Sequence, residues 1–176
     1  MSSGSAAGHV LTSDAAGNGT WQPVNGGGGW SLTGNAGTDP AINFLGTTDN
    51  QPLELKVNNA RVLRLEPHPG GANLVGGHPS NSIAAGVYGA VISGGGHLSF
   101  PNRVESRASA IGGGSGNVIR SDAVSSTIAG GGVNIIGAEA AYSTIAGGFT
   151  NVIQGQAAFS TVGGGAFKHS VLSNAA

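Results

Sequence analysis

Three carboxylates recur at one interval: Glu105, Asp122 and Glu139 stand 17 residues apart, and Gln156 takes the next place in the series. If each interval is one turn of a stacked chain, the carboxyl groups lie about 5 Å apart, close to the separation of the two carboxyls in a retaining glycosidase. The same residues admit a plainer reading. Arg103 and Arg120 come two residues before Glu105 and Asp122, so arginines and carboxylates together form a solvated edge of surface ion pairs. Exposed pairs of this kind are the commoner arrangement and nothing in the sequence marks a substrate cleft, so no catalytic residue is assigned.

Other chemistry-bearing residues lead to the same place. His78 and His97 are spaced to approach one another, but a metal site takes three or four ligands and no third is evident; His9, His68 and His169 are isolated and read as surface or turn residues. The glycine clusters lack the lysine and hydroxyl residue of a phosphate-binding loop, and no helix amino terminus follows them. The serines of "STIAGG" recur by period without a histidine, which argues for structure and against an activated nucleophile. Thr127, Thr144 and Thr161 form a further column, one per interval, suited to ordering water on an ice-like or crystalline surface; Ala110 interrupts it, and packing between chains is the simpler reading. No metal and no cofactor is implied.

What must position all of these is a repeat. Aligning the apolar residue before each glycine cluster gives Leu74, Ile92, Ile111, Ile128, Ile145 and Val162, and the glycines follow in step from Gly76-Gly77 to Gly164-Gly165. Asn117, Asn134 and Asn151 form a second column, and Ile119, Ile136 and Ile153 a third. A unit of about 17 residues is too short for a helix pair, and its apolar residues alternate with small polar ones at the strand period of two. The expectation is a parallel β-solenoid of six coils over residues 72–176, with a rise of roughly 4.8 Å per coil and turns at the glycines and near "GAEAAYS". Ile128, Ile145 and Val162 would point inward with Ser126, Ser143 and Ser160, leaving the threonines outside. The unit containing "HLSFPNRVESR" is the longest, and its two extra residues are expected to bulge from the rod.

Short hairpins precede the repeats. "VLTSDAAGNGTWQ" has strand-like runs on both sides of a "GNG" turn, and "NGGGGW" (Asn25 to Trp30) reads as a joint, so residues 1–29 form a first segment. "LELKVNNARVLRL" alternates on both sides of Asn58-Asn59, and "EPHPGG" closes a second segment, 30–71. The predicted chain is all-β.

Composition narrows the partners. Glycine occurs 34 times in 176 residues while charged residues make up 9% and aromatics 5%, so the core must be built from small side chains. A formal charge of −1 supplies no basic patch for nucleic acid. No apolar run approaches a membrane span, and "MSSGSAAGHV" has no basic-then-apolar leader, so export by another route or a place within a longer chain is expected. With no cysteine, disulfides are excluded. A narrow solenoid buries little surface, so association is expected, with the column of Tyr142 and Phe159, beside Thr144 and Thr161, as the candidate interface.

"SAIGGGSGNVI" (Ser109 to Ile119) resembles the repeats in head domains of trimeric autotransporter adhesins, and similar repeats occur in phage tail fibres. "GHVLTSDAAGNGTWQPV" (Gly8 to Val24) and "WSLTGNAGTDPAINFLGTTDNQPLELKVNNARVLRLEP" (Trp30 to Pro67) resemble segments of tail-fibre-like and bacterial surface proteins. The resemblance implies left-handed β-roll coils intertwined as a homotrimer, an extracellular location on a virion fibre or a bacterial surface, and attachment to a cell-surface glycan or protein receptor. Such a chain would be no enzyme and this segment would not insert into a membrane. The longest unit then offers Phe100, Arg103 and Arg107 as candidate receptor contacts. A polysaccharide-degrading tailspike-like enzyme with a site between subunits, and an ice or surface binder, are the competing functions.

Overall fold

Alternation and turn chemistry fix short strands throughout, and the computed structural model describes residues 9–23, 30–166 and 170–171 of an all-β chain with no helix among them. The "NGGGG" joint and His169 lie outside the described residues. The chain divides into two units, Met1–Gly46 and Thr47–Ala176.

In the first unit, β1 (His9–Ser13) and β2 (Gly19–Pro23) pair antiparallel, as the sequence predicts. The loop between them is organised by Asp14 more than by its glycines. The Asp14 carboxylate accepts hydrogen bonds from the amides of Ala16 (2.9 Å) and Asn18 (2.8 Å) and from the Asn18 side chain (3.1 Å). Donation by Asn18 is the main reason the Asp14 pKa lies below the ordinary 3.8.

The second unit opens with β3 (Leu53–Val57) and β4 (Ala60–Glu66), joined by Asn58 and Asn59. Both asparagines have positive φ, 48° and 59°, the requirement of the two-residue turn that matches strand twist. Then β5 (Asn73–Gly76) pairs antiparallel with β4 and carries the hairpin into the solenoid. The coils supply β6 (Ser82–Ile83), β7 (Val91–Ile92), β8 (Arg103–Val104), β9 (Ala110–Ile111), β10 (Val118–Ile119) and β11 (Thr127–Ile128). They continue through β12 (Ile135–Ile136), β13 (Thr144–Ile145), β14 (Val152–Ile153), β15 (Thr161–Val162) and β16 (Ser170–Val171). Odd-numbered strands from β5 to β15 stack in parallel on one side of each coil, and even-numbered strands from β6 to β16 on the other.

Between the sheets lies a narrow core. Ile92, Ile111, Ile128 and Ile145 descend one side and Val104, Ile119, Ile136 and Ile153 the other, all fully buried. The first member of the former column is Val75, which pairs with Ile92; Leu74 pairs with the outward Val91 and is only half-buried. The apolar doublet Leu74-Val75 precedes a glycine run one residue shorter than that after Ile92, which displaces the sequence alignment by one position.

Two-residue strands make few ladder bonds, and side chains supply the rest. Asn81, Asn102, Asn117, Asn134 and Asn151 stack as one buried column. Each Oδ1 down to Asn134 accepts the backbone N–H of the next asparagine at 2.9–3.0 Å. Each Nδ2 donates to two glycine carbonyls, one in its own coil and one in the next; for Asn134 these are Gly130 and Gly148, both at 3.0 Å. Only a short side chain with one acceptor and two donors does this, which excludes aspartate and serine. The glycines are part of the device, since a Cβ on Gly131 would overlap the Gly148 carbonyl oxygen and the Asn134 amide. On the other side, the backbone amides of Ser126, Ser143 and Ser160 donate to the hydroxyl of the serine one coil earlier, at 3.0–3.2 Å.

The corners depart from expectation. Positive φ there is not reserved for glycine: Ala108, Ser125, Tyr142 and Phe159 form one left-handed column, Asp122, Glu139 and Gln156 a second, and Val133 and Thr150 a third. Each such residue costs roughly 1–2 kcal/mol in backbone strain. The return is a reversed amide. Strand amides donate toward the following coil, as Thr127 does to Ser143, whereas Tyr142 donates to Val124 and Val133 to Ser115 in the preceding one.

Two substitutions should move stability in opposite directions. Asn134→Ala strands the Gly130 carbonyl and the Asn151 amide and leaves the Gly148 carbonyl with the Gly132 amide as its one donor, and should cost about 3 kcal/mol in urea unfolding. Ser106 occupies the inward place held by Ala123, Ala140 and Ala157 in later coils, and its buried hydroxyl has no partner, so Ser106→Ala should add about 1 kcal/mol without changing the urea dependence. In the first hairpin, a carboxyl whose folded pKa is depressed supports the fold above its unfolded value and releases that support as pH falls through the folded one. NMR shifts of the Ala16 and Asn18 amides should therefore hold steady on acidification to the ordinary aspartate value and move to disordered values only below it.

Candidate functional site

Register places the charged residues differently from the sequence alignment. Arg103 pairs with Val118, and Val104 with Ile119, so one step further Glu105 stands level with Arg120 and not with Asp122. The cause is a pair of compensating length changes. Gly95 and Asn102 are seven residues apart where Gly114 and Asn117 are three apart, while Val104 and Ser106 are two apart where Ile119 and Ala123 are four apart. The longest coil thus gains four residues at its glycine corner and loses two at the opposite one, correcting the expectation of a two-residue bulge. The predicted three-carboxylate column therefore does not form; Asp122, Glu139 and Gln156 remain stacked, with Gln156 Nε2 donating to Glu139 Oε2 at 3.5 Å. Arg103 pairs with Glu105 at 2.9 Å, as expected, but Arg120 has no carboxylate within 4 Å among the described residues.

Of the candidate receptor residues, Phe100 is 55% exposed on the inserted corner, where its carbonyl accepts the Gly116 amide at 2.8 Å. Arg103 lies on the outer face of β8, and Arg107 lies beyond it toward the other corner. There Arg107 shares a depression of about 170 Å³ with Glu105, Asp122 and Tyr88, and Phe100 is not part of that lining. The three residues therefore span the width of one sheet and form no single cluster.

The candidate interface residues are brought together. Tyr142 and Phe159 stack with ring centroids 5.0 Å apart and planes 10° from parallel, and they are 57% and 78% exposed. Thr144 pairs with Thr161 beside them, and Thr127 completes the expected column. A second exposed feature has no counterpart in the sequence reading. Val118, Ile135 and Val152 follow one another on the outer face of β10, β12 and β14, each half-buried. Their signal was the middle residue of "NVI", "NII" and "NVI", an apolar side chain on the outward side of the alternation. Phe149 is exposed as well, its ring lying over Gly132, where an added Cβ would come within 2.9 Å of it.

The histidines have a structural role. In "HPGG", "HPSN" and "HLSF" the Nδ1 of His68, His78 and His97 accepts the amide two residues on, at 3.0, 3.1 and 3.2 Å. The carbonyl of each histidine accepts the amide three residues on. A ring accepting at Nδ1 carries its proton at Nε2, so these are turn caps. The His78 and His97 rings lie 6.4 Å apart, and no group of three metal-ligating side chains occurs among the described residues.

No family model matches the chain, and neither a curated protein nor a solved structure is found similar to it.

The cap and metal readings of the histidines separate cleanly. His97→Ala should lower stability by about 1 kcal/mol through loss of the Nδ1 acceptor, whereas a tenfold molar excess of zinc should leave the melting temperature of the unaltered chain unchanged.

Proposed function

We propose that this chain is a structural and attachment module of a homotrimeric fibre, a tail fibre or a surface adhesin, that works outside the cell and carries receptor-binding loops on a stiff stack of coils. The observation that supports the reading most is the pattern of apolar exposure. A two-sheet stack this narrow buries its inward isoleucines yet leaves Val118, Ile135 and Val152 half-exposed on one face and the Tyr142–Phe159 pair on a corner. Ordered, contiguous apolar columns on a soluble repeat are the mark of a surface meant to be covered. Packing around a threefold axis covers the same columns on every copy with no new sequence. The corner insertion at His97 to Pro101 leaves the stacking intact, so it supplies a surface free to differ, with Phe100 on that corner, Arg103 on the adjoining β8 and Arg107 beyond that strand as contacts for a glycan or protein.

Mass in solution tests this directly. Light scattering on the eluting protein should give three times the 17.0 kDa of one chain, and Ile135→Glu with Val152→Glu should reduce it to a single chain that keeps its β signal. A single-chain mass for the unaltered protein overturns the reading.

A further inference from the structure

The two sheets of the solenoid do not begin at the same level. The eight-stranded sheet is continued at its first coil by the antiparallel strands β4 and β3, whereas the six-stranded sheet ends on β6. Ser82 and Ala84 turn their amides into the stack, donating to the carbonyls of Asn102 (3.2 Å) and Val104 (2.9 Å). In a parallel ladder alternate residues bond to opposite neighbours, so Ile83 between them directs its N–H and C=O away from the stack. Neither group has a partner among the described residues.

The core ends at the same edge. Ile83 heads the column that continues through Val104, Ile119, Ile136 and Ile153, all at 0% exposure, yet Ile83 and its neighbour Val87 are only partly covered. Over them lies a cleft of about 580 Å³, with Ser82 to Val87 along one side and Pro52, Arg61, Arg64 and Pro67 among the residues opposite. The two arginines differ. Arg64 is held by Glu66 at 3.1 Å and Glu54 at 3.9 Å. Arg61 donates to the carbonyls of Pro79 (2.5 Å) and Asn81 (3.2 Å) and has no carboxylate within 4 Å among the described residues.

We propose that this edge receives an extended strand of another protein, one that sets an apolar side chain over Ile83 and an acidic side chain beside Arg61. Such a strand supplies the missing backbone partners, continues the core by one layer and neutralises the unpaired guanidinium. The recess is one sheet wide and flanked by the β3–β4 hairpin, so a single strand enters it where the two-sheet end of a second solenoid does not. The proposal is independent of the trimeric reading, since it concerns the end of the stack and not its sides.

The test uses the full chain and a blocked, dye-labelled hexapeptide, Ser-Asp-Val-Ile-Thr-Thr, with its analogue carrying Asn in place of Asp. Fluorescence anisotropy should show saturable binding, and the analogue should bind about fivefold more weakly. Hydrogen exchange at the Ile83 amide should slow by about tenfold or more with the acidic peptide bound. Arg61→Gln keeps donors for Pro79 and Asn81 and should bind the two peptides equally. Absence of saturable binding at millimolar peptide overturns the proposal, as does binding that leaves Ile83 exchange unchanged. Protection of that amide in the chain alone, growing with its concentration, also overturns it by assigning the edge to a second copy.

Discussion

The carboxamide of a buried asparagine, held between two glycine carbonyls and the amide of the coil beyond, is the interaction on which the remaining structure rests. Strands of two residues cannot hold parallel coils in register by backbone pairing alone. The asparagine adds an acceptor and two donors at the same level in five successive coils, and it does so in the interior, where hydrogen bonds are stronger and unmade ones costly. Its geometry dictates the glycines, because the carbonyls it reaches lie where any Cβ would stand. Register of the isoleucine columns then follows, since each inward isoleucine from Ile111 to Ile153 lies two residues after an asparagine or serine whose partner is already chosen.

Strain at the corners belongs to the same arrangement. Left-handed residues such as Val133 and Tyr142 turn their amides toward the preceding coil while the strands donate toward the following one. Each coil inside the stack therefore gives and receives on both of its faces. That reciprocity offsets backbone conformations that would be unfavourable in an isolated turn, and it ties neighbouring coils together at the corners, where no sheet exists to do so.

Much of this was legible in the residues. The period, the inward isoleucines, the serine column and both hairpins follow from alternation and turn chemistry, because a parallel stack turns likeness in sequence into adjacency in space. Where spacing departs from 17, the reading failed for identifiable reasons. The sequence sets Glu105 above Asp122 because the 17-residue interval holds from Ser106 onward, while two residues are missing between Val104 and Ser106 and the interval at Val104 is 15. Asn81 and Asn102 carry no periodic signal as ladder members because they follow loops of different length, and the sequence does not separate Leu74 from Val75 because two apolar residues adjoin. The non-glycine corners carry no local signal, since what stabilises them is an amide bond to another coil. Surface features were least legible of all: the outward Val118, Ile135 and Val152 differ from their buried neighbours only by which side of a two-residue strand they occupy.

The coil containing His97 shows how tolerant such a stack is of unequal lengths. Four residues enter at one corner and two leave at another, and the asparagine and isoleucine columns run through that coil unbroken. Length is thus a free variable at the corners and a fixed one along the columns. A display scaffold follows from that division: foreign segments grafted between His97 and Pro101 would be presented at a set height on the rod, and their sequence would answer to whatever they are meant to touch, not to the fold beneath.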